Sequence, residues 1–190
     1  TYIRDRLAGF ETRPGQKMML FRKEGAAFPE YYEQYFKEAM MGGTVVPLMP
    51  VVCTGPVKYR GEKLLQIDIE NVKAASKAAG VPNHRVFLPA TAPSGVGLNE
   101  YYKTDEEYFH ALAVELNKEY RAIVAADILV QVDDPFLPDI FVEPGLTLAQ
   151  MKRRAEIYVE ATNAALEGVP PEMVRFHTCY GINEGPRIHE

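Results

Sequence analysis

Short apolar runs alternate along this chain with long stretches whose apolar residues recur at helical spacing. Glu62 to Ala79 carries Leu65, Ile69, Val72 and Ala79 on one side, and Gly80 supplies a helix stop. A second helix follows Thr104 and gathers Phe109, Leu112, Leu116, Tyr120, Ile123 and Val124, with Thr104 and Glu107 at the spacing of a capping box. A third starts at Thr147, aligns Leu148, Met151, Ala155, Tyr158, Val159, Thr162 and Leu166, and ends at Gly168. Four apolar runs between the helices read as strands: Leu48 to Cys53, Arg85 to Pro89, Ile128 to Asp133 and Val174 to Cys179. Nearer the start, Pro29 to Met41 is predicted as a helix stopped by Gly42 and Gly43, with Tyr31, Tyr32, Tyr35 and Phe36 as packing surface.

From Leu48 the order is β-α-β-α-β-α-β, which implies parallel strands joined by right-handed crossovers. A doubly wound sheet and a (β/α)8 barrel both satisfy that order, and the polarity of the strands decides between them. The Ile128–Asp133 run reads as a strand buried on both faces, yet alternation puts Gln131 and Asp133 on one face and Val130 and Val132 on the other. Arg175, His177 and Cys179 repeat the scheme, leaving Val174 and Phe176 to pack on helices. Polar inward faces near strand C-termini suit a barrel whose site gathers at that end. Four strands make about half a barrel and leave two sheet edges open. Residues 1–190 are therefore expected to form one domain that is an internal portion of a longer protein, poorly stable alone unless a partner covers its edges. A homo-oligomer is compatible with that.

A net charge of −5 over 190 residues, with no basic block, argues against nucleic acid or an anionic membrane as the main partner. No apolar run approaches the length of a membrane span. Two cysteines, Cys53 and Cys179, suit a reducing cytoplasm in which thiols serve metals or chemistry rather than a disulfide framework.

The residues able to carry chemistry sit at strand ends. Cys53-Thr54-Gly55-Pro56 follows the first strand, and its bland reading is a buried thiol before a turn. Pro89-Ala90-Thr91-Ala92-Pro93-Ser94-Gly95 follows the second and offers hydroxyls, Thr91 among them, to line a pocket. Asp133-Asp134-Pro135 ends the third. Asp is poor in strands, so the pair calls for either a turn-capping role or a substrate contact, with inward-facing Asp133 the better candidate for a cationic or hydroxylated ligand. His177 and Cys179 share a face, and imidazole and thiolate are the usual zinc donors. His84, His110 and His189 carry no such partner and read as structural.

Together, Phe176-His177-Thr178-Cys179-Tyr180-Gly181 and Leu129-Val130-Gln131-Val132-Asp133-Asp134-Pro135 resemble cobalamin-independent methionine synthase. The match is closest to the catalytic-domain-like branch that includes relatives of epoxyalkane:coenzyme M transferase. The segments from Tyr2 to Glu11 and from Thr54 to Tyr59 look like that branch too.

The resemblance implies a (β/α)8 TIM barrel of the UROD/MetE-like type, of which this chain covers part, with Zn2+ held at the C-terminal mouth. His177 and Cys179 match two metal ligands; the family's Glu, second Cys and proton-donating His would lie beyond Glu190. Asp133 matches the aspartate that helps bind the amino-acid substrate, with Gln131, Asp134 and Thr91 as further substrate-binding candidates. The implied function is zinc-dependent methyl transfer from a folate or corrinoid-type donor to a thiol such as homocysteine, in methionine biosynthesis. Thiol addition to an epoxide is the alternative, and an inactive, binding-only relative is a third. The expected partners are a small-molecule thiol and an alkyl donor.

Overall fold

A computed structural model of the chain describes residues 2–13, 22–38, 51–143, 145–179, 185–186 and 188. The chain opens with helix α1 (Tyr2–Arg6) and strand β1 (Leu7–Thr12), followed by helices α2 (Arg22–Ala27) and α3 (Pro29–Glu38). Strand β2 (Val51–Tyr59) leads into α4 (Glu62–Ala79), β3 (Phe87–Thr91) and the two-residue β4 (Leu98–Asn99). Helix α5 (Asp105–Ala125), strand β5 (Leu129–Asp133), the short α6 (Phe136–Asp139), helix α7 (Leu148–Ala165) and strand β6 (Val174–His177) complete it. No helix of the described residues is long and apolar enough to cross a membrane.

The predicted α/β alternation is present, but the strands divide between two three-stranded sheets. β3, β5 and β6 are parallel neighbours, as expected of βα crossovers. β2 does not join them among the described residues: it pairs antiparallel with β1 and parallel with β4. Four strands in one parallel series are thus corrected to three, and the described strands do not close into a barrel. β1 is a strand that the apolar pattern did not mark. Its pairing is broken by a bulge between Ala8 and Phe10. Gly9 sits there at φ +93, and a Cβ on it would lie 2.6 Å from the Pro56 carbonyl oxygen. The same bulge lets β2 run through Gly55 and Pro56, so Cys53 to Pro56 lies within the strand rather than after it. Pro56 has no N–H to give, and the interrupted ladder asks for none. The expected residues Leu48 to Pro50 lie outside the described residues.

Helix α4 has its expected bounds, with Gly80 in the left-handed conformation (φ 66) closing it. Thr104 caps α5 by accepting the Glu107 amide, while the Glu107 carboxylate accepts the Lys103 amide, one residue earlier than a capping box requires. Thr147 and Gln150 form a full box at the start of α7. On α5, Phe109, Leu112, Leu116, Tyr120 and Ile123 are buried as predicted, and Val124 is half-buried. This helix is the centre of the molecule. Its buried side joins residues of both sheets, from Leu7, Cys53 and Val57 to Ala90, Val130 and Val132, in one core.

The face assigned to α7 is borne out in part, with Thr162 buried and Tyr158 and Leu166 packed against the core. Ile157, Ala161, Thr162 and Ala165 are buried, whereas Leu148 and Val159 are exposed. Small Ala161 and Ala165 weigh little in an apolar pattern, but they allow a close crossing with α5. Asn117 of α5 reaches the backbone carbonyls of Ala165 and Glu167 at 2.9 and 2.8 Å, and the Phe109 and Tyr158 rings meet edge to face. In α3 the aromatic packing surface is real: Tyr32 is buried, with edge contacts to Tyr31 and Tyr35. The side chain of Phe36 and residues 39–43 lie outside the described residues.

A buried charge cluster, unsuspected in the sequence, fastens α1 to α5. Arg6 and Glu119 are 5% and 1% exposed and bond at 3.1 Å. Arg6 also bonds Asp68 and donates to the Tyr59 hydroxyl, and the Tyr2 hydroxyl donates to Glu119. Burial alone would lower the Arg6 guanidinium, but Glu119 and Tyr59 outweigh it and hold it above its ordinary value.

Candidate active site at the strand ends

The parallel register builds the candidate site. Thr91 of β3, Asp133 of β5 and His177 of β6 pair across three adjacent strands, so the three side chains share one face at the strand C-termini. The row before it is Pro89, Gln131 and Arg175. Leu88, Ala90, Val130 and Val132 point to the opposite face and sink into the core under α5. β5 is thus buried on one face, not both: Gln131 and Asp133 remain half-buried on the open side. β6 departs further from expectation. Val174 is half-buried and Phe176 is 50% exposed, because β6 ends the sheet and no described helix covers its far side.

Asp133 and Asp134 have opposite fates. The Gln131 amide donates to the Asp133 carboxylate at 2.9 Å and aims it along the open face. Asp134 is turned inward and is 1% exposed. Its Oδ1 accepts the Ser94 hydroxyl at 2.6 Å and the amides of Phe136 and Leu137 at 3.2 and 2.9 Å. That is the capping role, one of the two readings the sequence left open for the aspartate pair. Ser94 belongs to this cap rather than to an open pocket. Thr91 keeps its hydroxyl at the row, against the Ala92 carbonyl at 3.2 Å. Gly95 packs so near that a Cβ there would lie 2.5 Å from the Thr91 oxygen.

His177 ends β6, so Cys179 stands two residues beyond the strand and is not held to the strand's alternation. It is half-buried. Imidazole nitrogen and thiolate sulfur are donors that suit zinc, and these two would supply half of a four-coordinate set. Among the described residues no group of three or more His, Cys, Asp and Glu side chains gathers closely enough to hold a metal. The other cysteine, Cys53, is fully buried; burial pushes its thiol up, and the sulfur sits 3.2 Å from the Gly55 carbonyl. It is a core residue, as its bland reading held.

Two contributors escaped the sequence. Arg175 stacks over the Phe87 ring at 4.2 Å, a contact set by the strand register rather than by any local motif. Tyr120, counted as core, sends its hydroxyl to the Thr91 carbonyl at 2.5 Å. Burial first, then Glu119, Asp134 and Asp133, drive its phenol far above the ordinary tyrosine range, so it stays a donor.

No protein-family profile matches the chain. It is 29% identical over 132 residues to a methionine synthase of Sulfolobus acidocaldarius, covering 67% of this chain and 34% of that protein. A 2-hydroxypropyl-CoM lyase of Xanthobacter autotrophicus is 26% identical over 129 residues, covering 67% of this chain and 30% of the lyase. A methionine synthase of Saccharolobus islandicus is 34% identical over 86 residues, 44% of this chain and 22% of the synthase. The chain spans about a third of the length of the first two relatives. Both kinds of relative are enzymes, and their pairing is the one that the strand-end motifs indicated. The chain is related to archaeal methionine synthases and to 2-hydroxypropyl-CoM lyase.

Proposed function

We propose that this chain contributes the thiol-handling side of a zinc-dependent alkyltransferase, with methyl transfer to a thiol such as homocysteine as its reaction. The observation that carries the reading is the Thr91–Asp133–His177 row, with Cys179 two residues beyond it, in a chain related to methionine synthases. On this reading β3, β5 and β6 are one arc of a (β/α)8 barrel, whose site lies where the strands end.

His177 and Cys179 would hold the metal, whose chemistry is to make a thiol a thiolate at neutral pH. Asp133, braced by Gln131, would orient the substrate through an ammonium or hydroxyl group. The Thr91 hydroxyl offers a second polar contact on the same face. The thiol gives up its proton, its sulfur forms a bond to the methyl carbon, and the carbon–donor bond breaks with its electron pair left on the folate or corrinoid. The relation to 2-hydroxypropyl-CoM lyase favours a second reading, in which the sulfur opens an epoxide and the ring oxygen takes a proton.

The test uses the full-length protein. About one zinc per chain is expected, with loss of metal in His177→Ala and Cys179→Ala; stoichiometric zinc retained by both variants overturns the assignment. Labelled methyl donors and epoxides, each offered with homocysteine and with coenzyme M, separate the two reactions. No turnover and no metal uptake would instead mark a binding-only relative.

A further inference from the structure

Three hydrogen bonds, one from a side chain and two between backbone groups, cross the site at the level of its three side chains. The Tyr120 hydroxyl donates to the Thr91 carbonyl at 2.5 Å. The N–H of that same peptide, on Ala92, donates to the Asp133 carbonyl at 2.9 Å, and the N–H of the next, on Asp134, donates to the His177 carbonyl at 2.9 Å. The residues whose carbonyls accept in this line are the three whose side chains form the row. In a trans peptide the C=O and N–H point opposite ways. The Thr91 carbonyl therefore faces away from β5, on the side of β3 where no described strand pairs. Among the described residues, Tyr120 is the donor that meets that oxygen at the start of the line. Bonds in such a chain polarise one another by about 10–30% each, so the first donor influences the last.

We propose that Tyr120 is a positioning residue for the site, terminating a peptide relay that sets the spacing of Thr91, Asp133 and His177. The assignment of a role to that row rests on the proposed function, but the relay is a property of the backbone and is tested separately. Tyr120 is fully buried and meets the row through the Thr91 carbonyl. Its adjacent residue on α5, Glu119, holds Arg6 and Tyr2, so one helical turn connects the buried charge cluster to the strand ends.

The test compares Tyr120→Phe with Tyr108→Phe in full-length, metal-free protein. Tyr108 is an equally buried tyrosine of α5 whose hydroxyl bonds the Val96 carbonyl at 2.8 Å, outside the relay. In Tyr120→Phe the Ala92 and Asp134 amide proton resonances should move upfield and exchange about two- to tenfold faster, the span of one net hydrogen bond. The His177 ring resonances should shift with them, while the mid-strand amides of Val130 and Val132 stay in place. Tyr108→Phe should leave all of these unchanged. Equal responses in the two variants, or none at Ala92 and Asp134, overturn the relay. Should Tyr120→Phe not fold, 3-fluorotyrosine in place of Tyr120 keeps the hydroxyl as a stronger acid; the same resonances should then move downfield, and their immobility overturns it. Because all readings are made without zinc or thiol, failure of the transferase assignment leaves this result legible.

Discussion

Removing one partner of the Arg6–Glu119 pair should be far worse than removing both. Glu119 is 1% exposed and Arg6 5%, so neither charge can turn to water when its partner is lost. Breaking a buried pair from one side costs about 3–5 kcal/mol, whereas replacing both partners by apolar residues is often neutral or better. The structure orders the two single variants. Glu119→Leu leaves Arg6 bonded to Asp68 and stacked on Tyr2, so the loss should lie near the lower bound, about 3 kcal/mol. Arg6→Leu leaves Glu119 with tyrosine hydroxyls as its remaining partners, and should approach about 5 kcal/mol. The double variant should fall within about 2 kcal/mol of the parent, giving a coupling of about 6 kcal/mol or more. Since a domain's whole stability is about 5–15 kcal/mol, the single variants should melt visibly early. The chain has no tryptophan, so unfolding in urea is best followed by far-ultraviolet circular dichroism, with extrapolation to water. Single-variant losses below about 1 kcal/mol, or a double variant as damaged as the sum, would refute the reasoning.

Gly9→Ala should cost at least about 2 kcal/mol in the same assay, since φ +93 strains an L side chain and its Cβ would strike the Pro56 carbonyl. Thr147→Ala should cost about 1 kcal/mol by opening the box with Gln150, read as a modest drop in Tm. Stability should also fail on the alkaline side. Burial holds the Tyr108 and Tyr120 phenols well above their ordinary value, so their contribution is complete below about pH 10, where unfolded tyrosine is still protonated. As pH rises past that point, unfolding releases protons that the folded state keeps, and stability should fall by about 1.4 kcal/mol per pH unit for each tyrosine. A urea midpoint flat to about pH 9.5 and then falling, less steeply in Tyr108→Phe, is the expected record.

The legible parts of this fold are those in which neighbouring residues decide. α4 and α5 have long apolar stripes of large side chains and local stop or cap residues, and both formed where the pattern put them. The alternation of β5 also survived, because Val130 and Val132 can be buried under α5 only if Gln131 and Asp133 face away. What failed was non-local. Glu119 looks like an exposed helix residue until Arg6, 113 positions earlier, arrives beside it. The α7 face was found only in part, because Ala161 and Ala165, which are buried in it, count for little in a hydrophobicity pattern. β2 was expected beside β3 because chain order suggests neighbours, but among the described strands it pairs with β1 and β4.

The adjacent aspartates show how far one residue of strand parity reaches into function. Their shared peptide carries two roles: its carbonyl accepts from Ala92 and its N–H reaches His177, locking both residues to their neighbours. With the backbone fixed, side-chain direction is fixed too. Asp134 must point into the turn, where Ser94 and two helix-start amides bond its Oδ1 and its Oδ2 is buried without a described partner, and Asp133 must point over the open face toward the row. A carboxylate already bonded three times at one oxygen is a poor substrate ligand, because binding would have to break bonds that cap α6. One held by a single amide from Gln131 keeps most of its acceptor capacity for something else. The chemical candidate and the structural one are therefore separated by bonding rather than by sequence distance. The same logic predicts that Asp134→Asn, which retains a carbonyl oxygen for the cap, should keep a higher urea midpoint than Asp134→Ala, while Asp133→Asn should leave the midpoint unchanged and, on the proposed function, weaken substrate binding.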